Sequence, residues 1–154
     1  MYRYLIIEDD ALNARYIAEG LRQQGAHVSV CGDGVQGIAQ AVGENWDVII
    51  LDRMLPNGFD GLQILQTLRS MGKQTPVLVL NGADDKAVPD SDIAAFEQEM
   101  DGAGADWQFV NFSGAVHCFA ESDAQNPPGC VYHERSAKRA YRMMADFFED
   151  VFAK

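Results

Sequence analysis

Five short apolar runs alternate with five stretches of helical periodicity along the 154 residues. This alternation predicts an α/β sandwich, a parallel sheet covered by helices on both faces. Two further observations support the class. Asp47–Leu51 is nearly all apolar, as a strand buried on both faces requires, and Val77–Leu80 is a second wholly apolar strand. Hydrophobic residues make up 47% and charged residues 23%, which excludes a disordered or fibrous chain. The length fits one domain, residues 1–154, with a substantial core.

Taken in order, Arg3–Ile7 is an apolar strand that ends in Glu8-Asp9-Asp10. Asp10 can cap a helix whose apolar positions Ala14, Ile17, Ala18 and Leu21 recur at helical spacing, and Gly25 can close it. His27–Cys31 alternates as a second strand. The turn Gly32-Asp33-Gly34 then opens a helix carrying Ile38, Ala41 and Val42. Asp47–Leu51 is the third strand, ending on Asp52. Asp60 starts a third helix with Leu62, Leu65 and Leu68 inward. Pro76–Leu80 is the fourth strand, and the fourth helix, Ser91–Ala103, sets Ile93, Phe96 and Met100 on one face. Trp107–Phe112 is the fifth strand. Ser113–Arg135 contains Asn126-Pro127-Pro128-Gly129 and is expected to be irregular and mobile. Ser136–Phe152 closes the chain as a helix facing inward with Tyr141, Met144, Phe148 and Phe152. The order of these elements predicts a doubly wound, flavodoxin-like sandwich of five parallel strands in the order 2-1-3-4-5.

The formal charge of −11 repels phosphate backbones and anionic lipid, so no nucleic-acid or membrane partner is expected. No apolar run has membrane-spanning length. Met1-Tyr2-Arg3-Tyr4 leads straight into a strand, with no signal peptide expected. Cys31, Cys118 and Cys130 cannot all pair and their spacing is not that of a disulfide framework, so a reducing cytoplasm is expected.

In a doubly wound sheet, ligands sit beyond the carboxyl ends of strands where the strand order reverses. Glu8 and Asp9 end the first strand there, and Asp52 ends its neighbour. Three carboxylates so close cannot all stay ionised without a counter-cation, and Mg²⁺, a hard ion that takes oxygen ligands, is the expected cofactor. Ile6-Ile7-Glu8-Asp9-Asp10, Ile49-Ile50-Leu51-Asp52-Arg53-Met54-Leu55-Pro56 and Asp60-Gly61 together resemble a bacterial response-regulator receiver domain over about residues 1–80. The resemblance implies Asp52 as phosphoacceptor, Glu8 and Asp9 as the metal-binding acidic pair, and the Met54 carbonyl as a further metal ligand. Two departures stand out. Asn81 occupies the place of the Ser or Thr that ends a receiver's fourth strand, and the fifth strand, Gln108 to Ser113, lacks the Lys-Pro that follows in receivers.

The second half resembles a different family. Leu80-Asn81-Gly82-Ala83-Asp84-Asp85-Lys86 and Gly114-Ala115-Val116-His117-Cys118-Phe119 are similar to the C-terminal part of a dienelactone hydrolase, over about residues 76–154. The resemblance implies Asp85, rather than Asp84, and His117 as the acid and base of a nucleophile–His–acid triad. The nucleophile elbow, Gly-x-Ser-x-Gly or Gly-x-Cys-x-Gly, is absent. Cys118 adjoins His117 but reads as a filler thiol.

Other patterns carry less. Gly32-Asp33-Gly34-Val35-Gln36-Gly37 matches a dinucleotide fingerprint, yet it follows the second strand instead of the central first one. His117, Cys118, Cys130 and His133 lack zinc-site spacing. The sequence therefore predicts a chimera, an engineered single-domain scaffold joining a receiver-like half (1–80) to a hydrolase-like half (81–154). No efficient catalysis, no specific partner and some self-association are expected. A phosphoacceptor module using Asp52 is the first alternative, and a weak esterase the second.

Overall fold

The computed structural model describes residues 1–52 and 55–153. They form two compact units: Met1–Thr75 with Glu99–Ala105, and Pro76–Gln98 with the segment from Asp106 onward.

The first unit is built on strand β1 (Arg3–Ile7), paired in parallel with β2 (His27–Cys31) on one side and β3 (Val48–Leu51) on the other. Leu5, Ile6 and Ile7 are fully buried, as a central strand with apolar residues on both faces should be. Helix α1 (Ala11–Gln23) starts where the Asp10 carboxylate accepts the amides of Leu12 and Asn13. Asp33 caps α2 (Gly34–Gly43) through the Gln36 amide, and Asp60 caps α3 (Gly61–Ser70) through the Leu62 amide. Gly34 and Gly37 have a packing role: a Cβ on Gly37 would lie 2.7 Å from Ile7 Cδ1, and one on Gly34 2.6 Å from Phe59. Two of the three glycines of the formal dinucleotide pattern are thereby accounted for by the close seating of α2 on Ile7 and Phe59.

The core of this unit gathers Leu5, Ile7, Cys31, Ala41, Trp46, Leu55, Ile64 and Leu68. Ile64 takes the fully buried place on α3, whereas Leu62 is only half-buried. The Trp46 indole donates to the Gln40 carbonyl at 2.9 Å, and the Arg3 guanidinium lies 4.8 Å above its ring while pairing with Glu44. Arg69, on the last turn of α3, is buried and donates to the Lys73 and Thr75 carbonyls. Its cation thus satisfies acceptors beyond the helix end.

In the second unit, β4 (Val77–Gly82) pairs in parallel with β5 (Trp107–Phe112). Helix α4 (Asp90–Gly102) begins in this unit, where it buries Phe96, whose ring meets Trp107 edge-on at 5.7 Å. The α5 helix (Glu134–Phe152) buries Ser136, Ala137 and Ala140. Phe112, Ala115, Phe119 and Ala140 form the centre of this unit.

The fold is the flavodoxin-like α/β class, with four expectations corrected. The strands form the ladders β2-β1-β3 and β4-β5, each agreeing with the expected order within itself. Ile49–Leu51 are half-buried instead of covered on both faces, and Val77–Leu80 are half-buried too. The segment 113–135 is hydrogen-bonded and contains a hairpin, β6 (Gln125–Asn126) against β7 (Cys130–Val131), turning at the Pro-Pro-Gly that argued for irregularity. There Cys118 and Cys130 form a disulfide, with Cα atoms 5.0 Å apart. Cys118 is therefore no filler thiol, and the cysteine argument for a reducing compartment does not hold. Tyr141 is 54% exposed; its hydroxyl donates to the Ala120 carbonyl, which keeps the ring at the surface. No helix among the described residues is long and apolar enough to cross a membrane.

Candidate functional site

The carboxylate cluster follows from strand register. Parallel pairing sets Ile7 opposite Leu51, so Glu8 and Asp52 leave neighbouring strands side by side. The Asp52 amide donates to the Ile7 carbonyl at 2.9 Å, and the Glu8 amide to the Cys31 carbonyl at 3.0 Å. Asp10 is turned to capping α1, and its amide donates to Glu8 Oε1 at 3.0 Å. One carboxylate oxygen from each of Glu8, Asp9 and Asp52 lies within 4.8 Å of the others.

Burial first, then the negative charges of Asp52 and Asp9, push the Glu8 carboxyl up to about 7, against the Asp10 amide, which favours its ionised form. Three hard oxygen donors, one of them ionising reluctantly, make a donor set suited to a divalent cation such as Mg²⁺. Met54, the fourth expected ligand, lies outside the described residues.

At the end of β4, Asn81 is buried and donates from Nδ2 to Asn111 Oδ1 on β5 at 2.8 Å. One hydrogen bond thus joins the two amide side chains across the ladder, at the strand end where a receiver carries Ser or Thr in place of Asn81.

The acid–histidine pair is assembled by the loop after β4. Asp85 donates its amide to the Gly82 carbonyl at 3.0 Å and accepts the Ala87 amide on Oδ1 at 2.9 Å. Its other oxygen, Oδ2, lies 2.9 Å from His117 Nδ1. Asp84 is exposed, and its amide donates to the Ala115 carbonyl. The Asp85 side chain is 8% exposed and that of His117 42%, so the acid sits behind the ring and the ring faces outward.

A model of the response regulator receiver domain family matches residues 4–103, and a model of the dienelactone hydrolase family matches residues 58–152. The chain belongs to both families. The receiver match runs beyond residue 80, through β4 and α4, and the hydrolase match starts ahead of α3. Both families therefore describe the shared stretch of helix, strand and helix.

Among curated relatives, the transcriptional regulatory protein HprR of Escherichia coli (strain K12) is 43% identical over 82 residues, 53% of this chain and 36% of the relative. The transcriptional activator protein IrlR of Burkholderia pseudomallei (strain 1026b) is 45% identical over 83 residues, 54% of this chain and 35% of the relative. The chain spans about a third of the length of these relatives. Among solved structures, a dienelactone hydrolase-like promiscuous phosphotriesterase from metagenomic libraries shares 19% identity, with a TM-score of 0.72 over 98% of this chain and 87% of that one. The response regulator TrrA from Thermotoga maritima, in complex with Mg²⁺-BeF, shares 23% identity with a TM-score of 0.52 over 74% of this chain and 89% of its own. Both likenesses are ones of fold.

Two roles that shape the hydrolase-like site escaped sequence reasoning, the packing role of Gly82 and the pairing of Cys130. A Cβ on Gly82 would stand 2.5 Å from the Ala115 carbonyl oxygen, so glycine is what lets the His117 loop approach β4. Cys130 forms an isolated bridge with His117 and ties the hairpin to Cys118. The glycine between Asn81 and the acidic pair was a readable signal; the cysteine pairing across a proline turn was not.

Proposed function

We propose that Asp52 accepts a phosphoryl group from a small phosphodonor, with a divalent cation, Mg²⁺, held by Glu8, Asp9 and Asp52. The convergence of these three carboxylates at the ends of β1 and β3, in a member of the receiver family, carries the reading. The cation, when bound, neutralises charge on the phosphoryl oxygens. Asp52, fixed through its amide on Ile7, presents a carboxylate oxygen as nucleophile, and Glu8 gives up its proton as the cation is held. Asn81, already bonded to Asn111, offers no hydroxyl to follow the phosphoryl group. The reading is thus of an acceptor without the downstream switch. Incubation with acetyl phosphate and Mg²⁺ should add the mass of one phosphoryl group, and Asp52→Asn should abolish the gain. No gain in a protein whose Trp46 fluorescence reports metal binding would refute the proposal.

The same reading treats the chain as a join of a receiver-like half, 1–80, and a hydrolase-like half, 81–154, of the kind an engineered chimera would have. Efficient catalysis is not part of it, because no nucleophile elbow accompanies Asp85 and His117. The strand order 2-1-3-4-5 in one sheet belongs to this proposal, and amide NOEs between β3 and β4 test it. The charge of −11 supports a module that itself binds neither nucleic acid nor membrane, which a gel-shift assay and vesicle sedimentation check. Cytoplasmic placement also goes with it, although the Cys118–Cys130 bridge weighs against a reducing compartment. Alkylating thiols in intact cells before lysis decides the point.

A further inference from the structure

We propose that His117 is itself the nucleophile of a slow acyl-transfer site, its Nε2 attacking the carbonyl carbon of a neutral, activated ester. This goes beyond the phosphoacceptor reading and uses none of its residues.

The geometry fixes everything about this imidazole except its outer nitrogen. Nδ1 faces Asp85 Oδ2 at 2.9 Å, so the tautomer protonated on Nδ1 leaves the lone pair on Nε2. Asp85 is held by Gly82 and Ala87, and only 8% of its side chain is exposed. The His117 carbonyl accepts the Val131 amide at 3.2 Å, and the next residue, Cys118, is bridged to Cys130. With 42% of its side chain exposed, the ring is open to solvent on a support fixed by Asp85 and by the Cys118–Cys130 bridge.

The cysteines and Ser136 supply no alternative nucleophile. The disulfide removes Cys118 and Cys130 as thiolates. Cys31 is 1% exposed and belongs to the core of the first unit. Ser136 is 3% exposed, and its hydroxyl bonds His133 Nδ1 at 2.7 Å. Histidine can form covalent intermediates in its own right.

Local charge selects the electrophile. Asp84 is exposed beside Asp85, and these two neighbouring carboxylates favour a neutral acyl donor over an anionic one at this ring. In the first step, the Nε2 lone pair forms a bond to the acyl carbon. The C–O bond to the aryl group breaks, and aryloxide leaves with its electron pair. The imidazolium keeps its Nδ1 proton against Asp85. Water then adds to the acyl carbon and gives up a proton, the C–N bond breaks, and its electron pair returns to Nε2. The net change is ester plus water to carboxylic acid plus phenol.

The test follows hydrolysis of p-nitrophenyl acetate by the full chain, with acid quench and peptide mapping for an acyl adduct. The expected result is acylation of His117 and a rate that falls several-fold in His117→Gln, while His27→Gln and His133→Gln keep the wild-type rate. Folding of each variant is checked by Trp107 fluorescence. Asp85 is a positioning residue, and in Asp85→Asn the ¹⁵N shifts of the His117 ring should move from the single Nδ1-protonated tautomer to a mixture. An unchanged rate in folded His117→Gln, an adduct on lysine only, or phosphorylation of His117 by phosphoramidate in place of acylation would overturn the assignment.

Discussion

Glu8 carries an electrostatic cost imposed by burial and by Asp52 and Asp9. In the unfolded chain its carboxyl ionises near the ordinary 4.5, whereas in the fold it keeps its proton up to about 7. Folding therefore takes up a proton between these values. Glu8 costs nothing below the lower one, and its cost grows as pH rises through the upper one. Glu8→Gln in the presence of chelator should thus raise the melting temperature well above pH 7, with the gain vanishing below 4.5; thermal melts followed at Trp46 measure both arms. A gain that persists in acid would mean that packing, and not charge, sets the effect. The acids at this site were legible because they stand at strand ends. The raised affinity of Glu8 for its proton was legible only in kind, since burial and distance come from the fold.

At the scale of elements, capping set the helix starts and was readable: Asp10, Asp33 and Asp60 each accept amides from the first turn they precede. Inward faces were less legible. On α5 the sequence suggested Tyr141 as a core residue, but the small residues Ser136, Ala137 and Ala140 are the buried ones. Helix spacing names a stripe without saying which part of it meets a neighbour. The hairpin β6–β7 was missed because it depends on a covalent tie between residues 12 apart in sequence. By loop-closure entropy, that tie contributes about 3 kcal/mol. The double variant Cys118→Ser/Cys130→Ser should lose about that much in denaturant titrations followed at Trp107. It should also raise hydrogen exchange at the Val131 amide, which bonds the His117 carbonyl. Equal stability with and without the bridge would show that the backbone bonds hold the hairpin alone.

For the whole molecule, membership of two families makes cooperativity the informative quantity. Trp46 lies in the first compact unit and Trp107 in the second, so each reports its own surroundings. If the halves are joined without a shared history, unfolding followed at near-ultraviolet bands specific to single-tryptophan variants Trp46→Phe and Trp107→Phe should give two midpoints; one midpoint would mean a single cooperative domain. The outer strands β2 and β5 are edges in either arrangement, and Val30 on β2 is 40% exposed, the kind of edge that pairs with other chains. Sedimentation velocity should accordingly show concentration-dependent association, and a concentration-independent monomer would remove that expectation.

The sequence by itself determined the α/β class, the helix starts and the identity of the titratable groups, because periodicity, capping and strand-end chemistry are local properties written in neighbouring residues. Only the tertiary structure decided that Cys118 meets Cys130, that the Asp85 carboxylate is buried behind a half-exposed His117 ring, and that Gly82 makes room for that loop. Those outcomes depend on how segments distant along the chain approach one another. Such approach is fixed by packing and register, which a one-dimensional pattern does not contain.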